Sequence, residues 1–305
     1  MRLLDRIFSY GFETVLEGIV DEALLLRDLT MSQLVVIDNV ADYSFSQGYS
    51  KGRDYAGPVL VTDFPNVMLP FELSFFEARF SSQISTKTGN VEEVGAFLTM
   101  QAARKREDRP DWWLLDQPGV KYHLTALCFI RRAGQKRPGL LVEIVVPVDG
   151  NGQIVSPDGQ VQIVTHLLFK SRDQNDKDAW VGFTHHFLLH PICLALSFMH
   201  CQNVRVREEI PPAKLSKSYQ KKRGRPLLRY HILQIDHMKQ VLEREGGAST
   251  GGLKKALHIC RGHFATYGKE GKGLLFGKLS GRYWIPMHAR GNADCGIVAK
   301  DYQVK

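Results

Sequence analysis

The chain has 305 residues, of which 44% are hydrophobic and 24% charged, so wholesale disorder is excluded and one large or two ordinary cores can form. Charge is divided unevenly: residues 206–305 carry 20 Lys+Arg and 8 Asp+Glu, whereas residues 1–205 carry 20 and 24. A back third at +12 behind a front two-thirds at −4 is the footprint of a part that meets a polyanion.

No stretch approaches the ~20 apolar residues that cross a bilayer, and the opening Met1–Arg6 is broken by charge. Five cysteines, at 128, 193, 201, 260 and 295, lack the spacing of a disulfide framework. The expectation is a cytoplasmic protein with no membrane partner, with Cys128 and Cys193 as buried thiols.

In chain order, Phe12–Leu29 predicts an amphipathic helix, with Val15, Ile19, Leu26 and Leu29 near helical spacing and acids at Glu13, Glu17, Asp21 and Glu22. Gly48, Gly52, Gly57 and Pro58 mark a loop, and Val59–Thr62 predicts a short strand. Pro70 can open a helix running to Phe80, since a missing N–H is harmless at the first helical position. Strand-like segments follow at Val94–Ala102, Tyr122–Ile130, Leu140–Val146 and Val161–Phe169. The turn signals between them, at Arg132–Pro138 and Asp149–Gly152, suggest an antiparallel meander. Ile192–His200 predicts a helix that covers that sheet.

Residues 1–205 therefore read as an α+β N-terminal domain: an antiparallel sheet with helices. Residues 206–229 hold Pro211, Pro212, Lys214, Lys217, Lys221, Lys222, Arg223, Arg225 and Arg229, and read as a basic flexible linker. Residues 230–305 read as a small, mostly β, basic module. It has strands at Tyr230–Ile235, Leu257–Phe264, Gly281–Met287 and Gly296–Val304, and a short helix from Asp236 to about Glu245.

Three chemistries compete in this basic third. Nucleic-acid binding, to DNA or RNA, would use Lys221, Lys222, Arg223, Arg225, Arg229, Lys254, Lys255, Lys278 and Arg282 on phosphates. Tyr267, Phe276, Tyr283 and Trp284 could stack on bases, although Trp284 suits a small core better. Metal-independent RNA cleavage would use His263, His288, Arg261, Arg290 and Tyr267, a set able to move a proton and hold a phosphate. A zinc site would combine Cys260-x-x-His263 with His288 and Cys295, but the loose second pair favours Cys260 as a buried thiol.

Elsewhere, His185, His186, His190 and His200 read as structural or surface histidines, and the adjacent acids Glu92–Glu93 and Glu208–Glu209 as solvated. Phosphate-binding Walker, dinucleotide and nucleophile-elbow patterns are absent from the sequence, so no cofactor is implied.

Three resemblances add to this. Arg223-Gly224-Arg225-Pro226 resembles the AT-hook core, which implies an extended peptide in the minor groove of A·T-rich DNA. Arg261–Phe264, Leu275–Gly277, Trp284, Arg290–Gly291 and Lys300–Tyr302, together with Leu196–Val204, resemble the end of a bacteriophage and mobile-element protein family. That likeness implies a phage setting and no particular activity. The segment Leu279–Tyr283 followed by Arg290 is similar in arrangement to RelE-like toxin ribonucleases, which implies the endoribonuclease alternative. A third possibility is a protein-interaction factor whose acidic front meets a host protein.

Overall fold

The computed structural model describes residues 2–14, 20–48, 61–86, 89–104, 115–161, 164–168, 180, 182–235, 256–260, 262–269, 271, 273–275, 277–285, 288–290 and 292–297. The chain divides into two units. The first combines Met1–Ser197 with Val206–Leu233, and the second combines Phe198–Arg205 with Gln234–Lys305. Residues 206–229, expected to tether two domains, thus belong to the first unit, and 198–205 belong to the second.

An eight-stranded mixed sheet organises the first unit. Its centre is β2 (Leu73–Thr86), β3 (Gly89–Ala102), β4 (Tyr122–Arg132) and β5 (Gly139–Val148), paired antiparallel in chain order. β6 (Val164–Leu167) extends this meander. On the other side β1 (Gln33–Val36) runs parallel to both β2 and β8 (Tyr230–Ile235), and β7 (Val204–Glu209) is the outermost strand. The architecture is α+β, with the meander where the turn signals put it.

Both faces of this sheet are covered. One carries Phe75, Phe97, Phe129 and Leu140, which pack with Leu3, Leu4 and Ile7 of α1 (Leu3–Tyr10) and Leu25 and Leu29 of α2 (Glu22–Met31). Each such side chain contributes roughly 1.5–3 kcal/mol on burial. Helix α1 lies close because position 95 has no side chain: a Cβ there would stand 2.7 Å from Leu3 Cδ2 and 2.9 Å from Phe75 Cζ. The opposite face buries Phe76, Ala96, Leu98, Cys128, Ile130 and Ile144. Phe187, in the π-helical turn His185–Leu189 that leads into α4 (His190–Met199), meets Phe80 edge-on at 5.9 Å.

This two-sided burial explains one departure from expectation. Residues 73–80 form strand β2 rather than the tail of a helix begun at Pro70. A strand buried on both faces loses the polar alternation that identifies it, and Phe75-Phe76 reads as a cluster.

The helix expected over Phe12–Leu29 begins at Glu22, where Asp21 caps it by accepting the Leu24 N–H at 3.0 Å. Phe12–Thr14 is extended: Glu13 N–H donates to the Pro138 carbonyl and Leu140 N–H to the Glu13 carbonyl, both at 2.9 Å. Val61–Asp63 is a 3₁₀ turn, not a strand. Helix α3 (Asp38–Gly48) completes the front, its Asp38 accepting the Arg79 N–H at 2.8 Å.

The second unit holds two small sheets. β9 (Ala256–Cys260) pairs with β12 (His288–Arg290) and β13 (Asn292–Ile297), while β10 (His263–Tyr267) pairs antiparallel with β11 (Gly281–Ile285). The single strand expected over Leu257–Phe264 is therefore two. Phe198, Phe264 and Trp284 form its aromatic core with centroids 4.8–5.4 Å apart, so Trp284 packs rather than stacks on bases. The helix expected from Asp236 to Glu245 lies outside the described residues.

Candidate nucleic-acid interface

Residues 213–223, expected to be mobile, form α5 (Ala213–Arg223). Lys, Gln, Arg and Leu are good helix formers, and Lys221, Lys222 and Arg223 sit in the last turn, where cations suit the helix dipole. Gly224 then takes the left-handed conformation (φ 76°) that terminates a helix. The linker reading fails because α5 is held by polar and stacking contacts instead of an apolar stripe.

Those contacts come from one side of α5. Tyr219 Oη lies 3.4 Å from Ser9 Oγ, and Ser216 Oγ accepts the Leu227 N–H at 3.2 Å. Arg223 donates to Tyr10 Oη at 2.9 Å and lies 5.1 Å over its ring. Arg225 binds Asp5 twice, through Nη1 to Oδ1 at 3.0 Å and Nη2 to the carbonyl at 2.8 Å. Its guanidinium also lies 5.0 Å over Phe8 and 5.5 Å over Tyr219. The RGRP segment is thus a helix stop and an arginine clamp on α1. An extended minor-groove arm is not what these residues form.

The other side of α5 is cationic. Lys214, Lys217 and Lys221 recur at helical spacing with Lys222 beside them, and all four are exposed. No Asp or Glu occurs within Ala213–Arg223. Nearby, exposed Arg229 lies 3.6 Å from Glu208, and Arg207 pairs with Glu209 at 3.0 Å.

In the second unit, Lys278 is exposed and Arg282 half-buried on β11, opposite Thr266. Lys254, Lys255 and Arg261 lie outside the described residues. Exposed His263 and half-buried Tyr267 share one face of β10, four residues apart. That is ~13 Å along a strand, more than one proton-transfer site spans. His288 and Arg290 are on β12 in the neighbouring sheet, with His288 opposite Cys260 in register and Arg290 opposite His258. Cys295 is on β13.

Sequence reasoning missed a buried ionic cluster beneath α1. Glu93, read as solvated, is 1% exposed and accepts Arg131 Nε at 2.5 Å, Arg79 Nε at 2.6 Å and Arg6 Nε at 3.1 Å. Burial alone would raise its carboxyl, but the guanidinium groups of Arg131 and Arg79 hold it below the ordinary range. Its neighbour Glu92 points outward to Arg131.

Glu77 is different. Burial pushes it up to about 7, against the Leu4 N–H at 3.0 Å and Arg2 Nε at 3.6 Å. Phe75, Glu77 and Arg79 share one face of β2, the face on which α1 packs.

His190 Nδ1 lies 2.7 Å from Ser44 Oγ, and burial pushes both His185 and His190 down to about 4. Cys128 and Cys193 are buried thiols, the latter pushed up to about 12 by burial.

Comparison of the chain with protein-family models, with curated proteins and with solved structures gives no match. Among the described residues no helix is long and apolar enough to cross a membrane.

Proposed function

We propose that this protein binds nucleic acid, largely electrostatically, through basic residues behind position 205. The setting implied by the resemblance of its C-terminal segments is a phage or mobile element. The observation that carries the proposal is the outer face of α5: Lys214, Lys217, Lys221 and Lys222, all exposed, on a helix without an acid. Arg229, Lys278 and Arg282 add further positive charge. Ammonium groups so placed displace condensed counterions from a sugar–phosphate polymer, and that release drives association.

The test is fluorescence anisotropy of the purified protein with labelled DNA and RNA at low ionic strength. Saturable binding that weakens steeply as salt is added is the expected result. Absence of binding at low salt to every DNA and RNA probe would overturn the proposal.

A further inference from the structure

Resting on that reading, we infer that the ligand of α5 is the backbone of a double helix, met without regard to base sequence. The groups of this segment suited to reading bases are engaged by the protein's own side chains, Arg225 half-buried and Arg223 exposed. Arg223 and Arg225, the guanidinium groups that could form bidentate contacts with a guanine edge or enter a narrow minor groove, are bound to Tyr10 and Asp5. Tyr219, the one aromatic side chain of α5 and the natural platform for an unpaired base, lies under the Arg225 guanidinium.

Apart from Arg223, which is exposed but held on Tyr10, the basic groups outside are a row of lysines. Each is a point charge on a flexible stem, which contacts phosphate without the planar fork that specifies a base. The row is also pre-positioned, because the Asp5–Arg225 and Tyr10–Arg223 contacts fix α5 on α1.

A rigid cationic row matches a rigid polyanion. Duplex DNA presents one charge per ~1.7 Å of axis from its two strands, a higher linear density than one strand offers. Lys214 to Lys221 covers about 10 Å along a helix at ~1.5 Å per residue, enough to meet several duplex phosphates without reorganising. A single strand would have to be ordered along the same row, and α5 offers no exposed ring to order it.

The experiment compares three labelled probes at one salt concentration: an A·T-rich duplex, a G·C-rich duplex and an unstructured single strand. It uses the full chain and a variant with Lys214, Lys217, Lys221 and Lys222 changed to Gln. The two duplexes should bind the native chain within about twofold of each other, and the single strand about fivefold or more weakly. The variant, its fold checked by circular dichroism, should lose about tenfold or more on both duplexes equally.

A tenfold preference for A·T-rich duplex, or tighter binding of the single strand, would overturn the inference. So would duplex affinity unchanged in the variant, which leaves nucleic-acid binding standing but moves it to another surface. Failure of all three probes and of RNA would remove the underlying reading itself.

Discussion

The side-chain amide of Asn203 pairs with the main chain of Trp284 in both directions. Asn203 Nδ2 donates to the Trp284 carbonyl at 2.7 Å, and the Trp284 N–H donates to Asn203 Oδ1 at 2.9 Å. An amide side chain here occupies the place of a neighbouring strand's peptide unit. The Gln202 N–H continues the arrangement by donating to the Arg282 carbonyl at 2.9 Å. Of the segment Leu196–Val204 singled out in the sequence, residues 198–204 therefore belong to the same unit as the residues around Trp284.

Replacing Asn203 with Leu would leave a buried N–H and a buried carbonyl of Trp284 without that partner. Each such group costs roughly 1–3 kcal/mol, so N203L should destabilise the second unit by roughly 2–6 kcal/mol. Trp284 fluorescence during denaturant unfolding measures this. A shift below about 0.5 kcal/mol, the level of a neutral surface change, would show that water satisfies the pair.

Arg225 distinguishes a clamp from a DNA-reading arm. Changing Arg225 to Met keeps some packing on Phe8 and Tyr219 but deserts the buried Asp5 carboxylate. Breaking such a pair from one side should lower stability by roughly 1–3 kcal/mol and expose α5 to trypsin at Lys217–Lys222. Unchanged stability and unchanged cleavage, with a lost A·T preference, would restore the minor-groove reading.

Glu77 makes stability depend on pH in a direction opposite to most carboxylates. Its folded value of about 7 lies above the ordinary glutamate value of 4.5, so the folded state holds the proton more tightly. Its contribution is complete below about 4.5 and is lost as pH rises through about 7. The neutral Glu77→Gln variant lacks this loss. Relative to the native chain, E77Q should gain stability between pH 5 and pH 8, by roughly 3 kcal/mol at most. Denaturant melts at several pH values read the difference, and a constant difference would contradict the buried-carboxyl assignment.

How much of this structure could be read from sequence depends on burial. β4 and β5 were readable because turn residues fence them: Arg132–Pro138 and Asp149–Gly152 punctuate two apolar runs. β2 was not, since layers on both faces make Phe75 and Phe76 equally apolar choices.

The polar anchoring of α5 defeats pattern reading for the converse reason. A helix held by Tyr219, Ser216 and Arg225 shows no apolar stripe, and its lysines imitate a solvated tether. Glu92–Glu93 looked like a solvated pair, yet the register of β3 on β4 shifts between Val91 and Glu93, and both carboxylates meet Arg131, with Glu93 also reaching Arg6 and Arg79. Of the proposed catalytic set, His263 and Tyr267 fall on one strand face but too far apart to share a proton, a spacing that sequence proximity disguised.

The most direct measurement is the salt dependence of duplex binding for the native chain and for the variant with Lys214, Lys217, Lys221 and Lys222 changed to Gln. With four phosphates met by these lysines, the plot of log K against log salt should be steeper in the native chain by roughly 3–4 units of slope. Native and variant slopes that coincide, or native binding indifferent to salt, would contradict a phosphate-gripping role for α5.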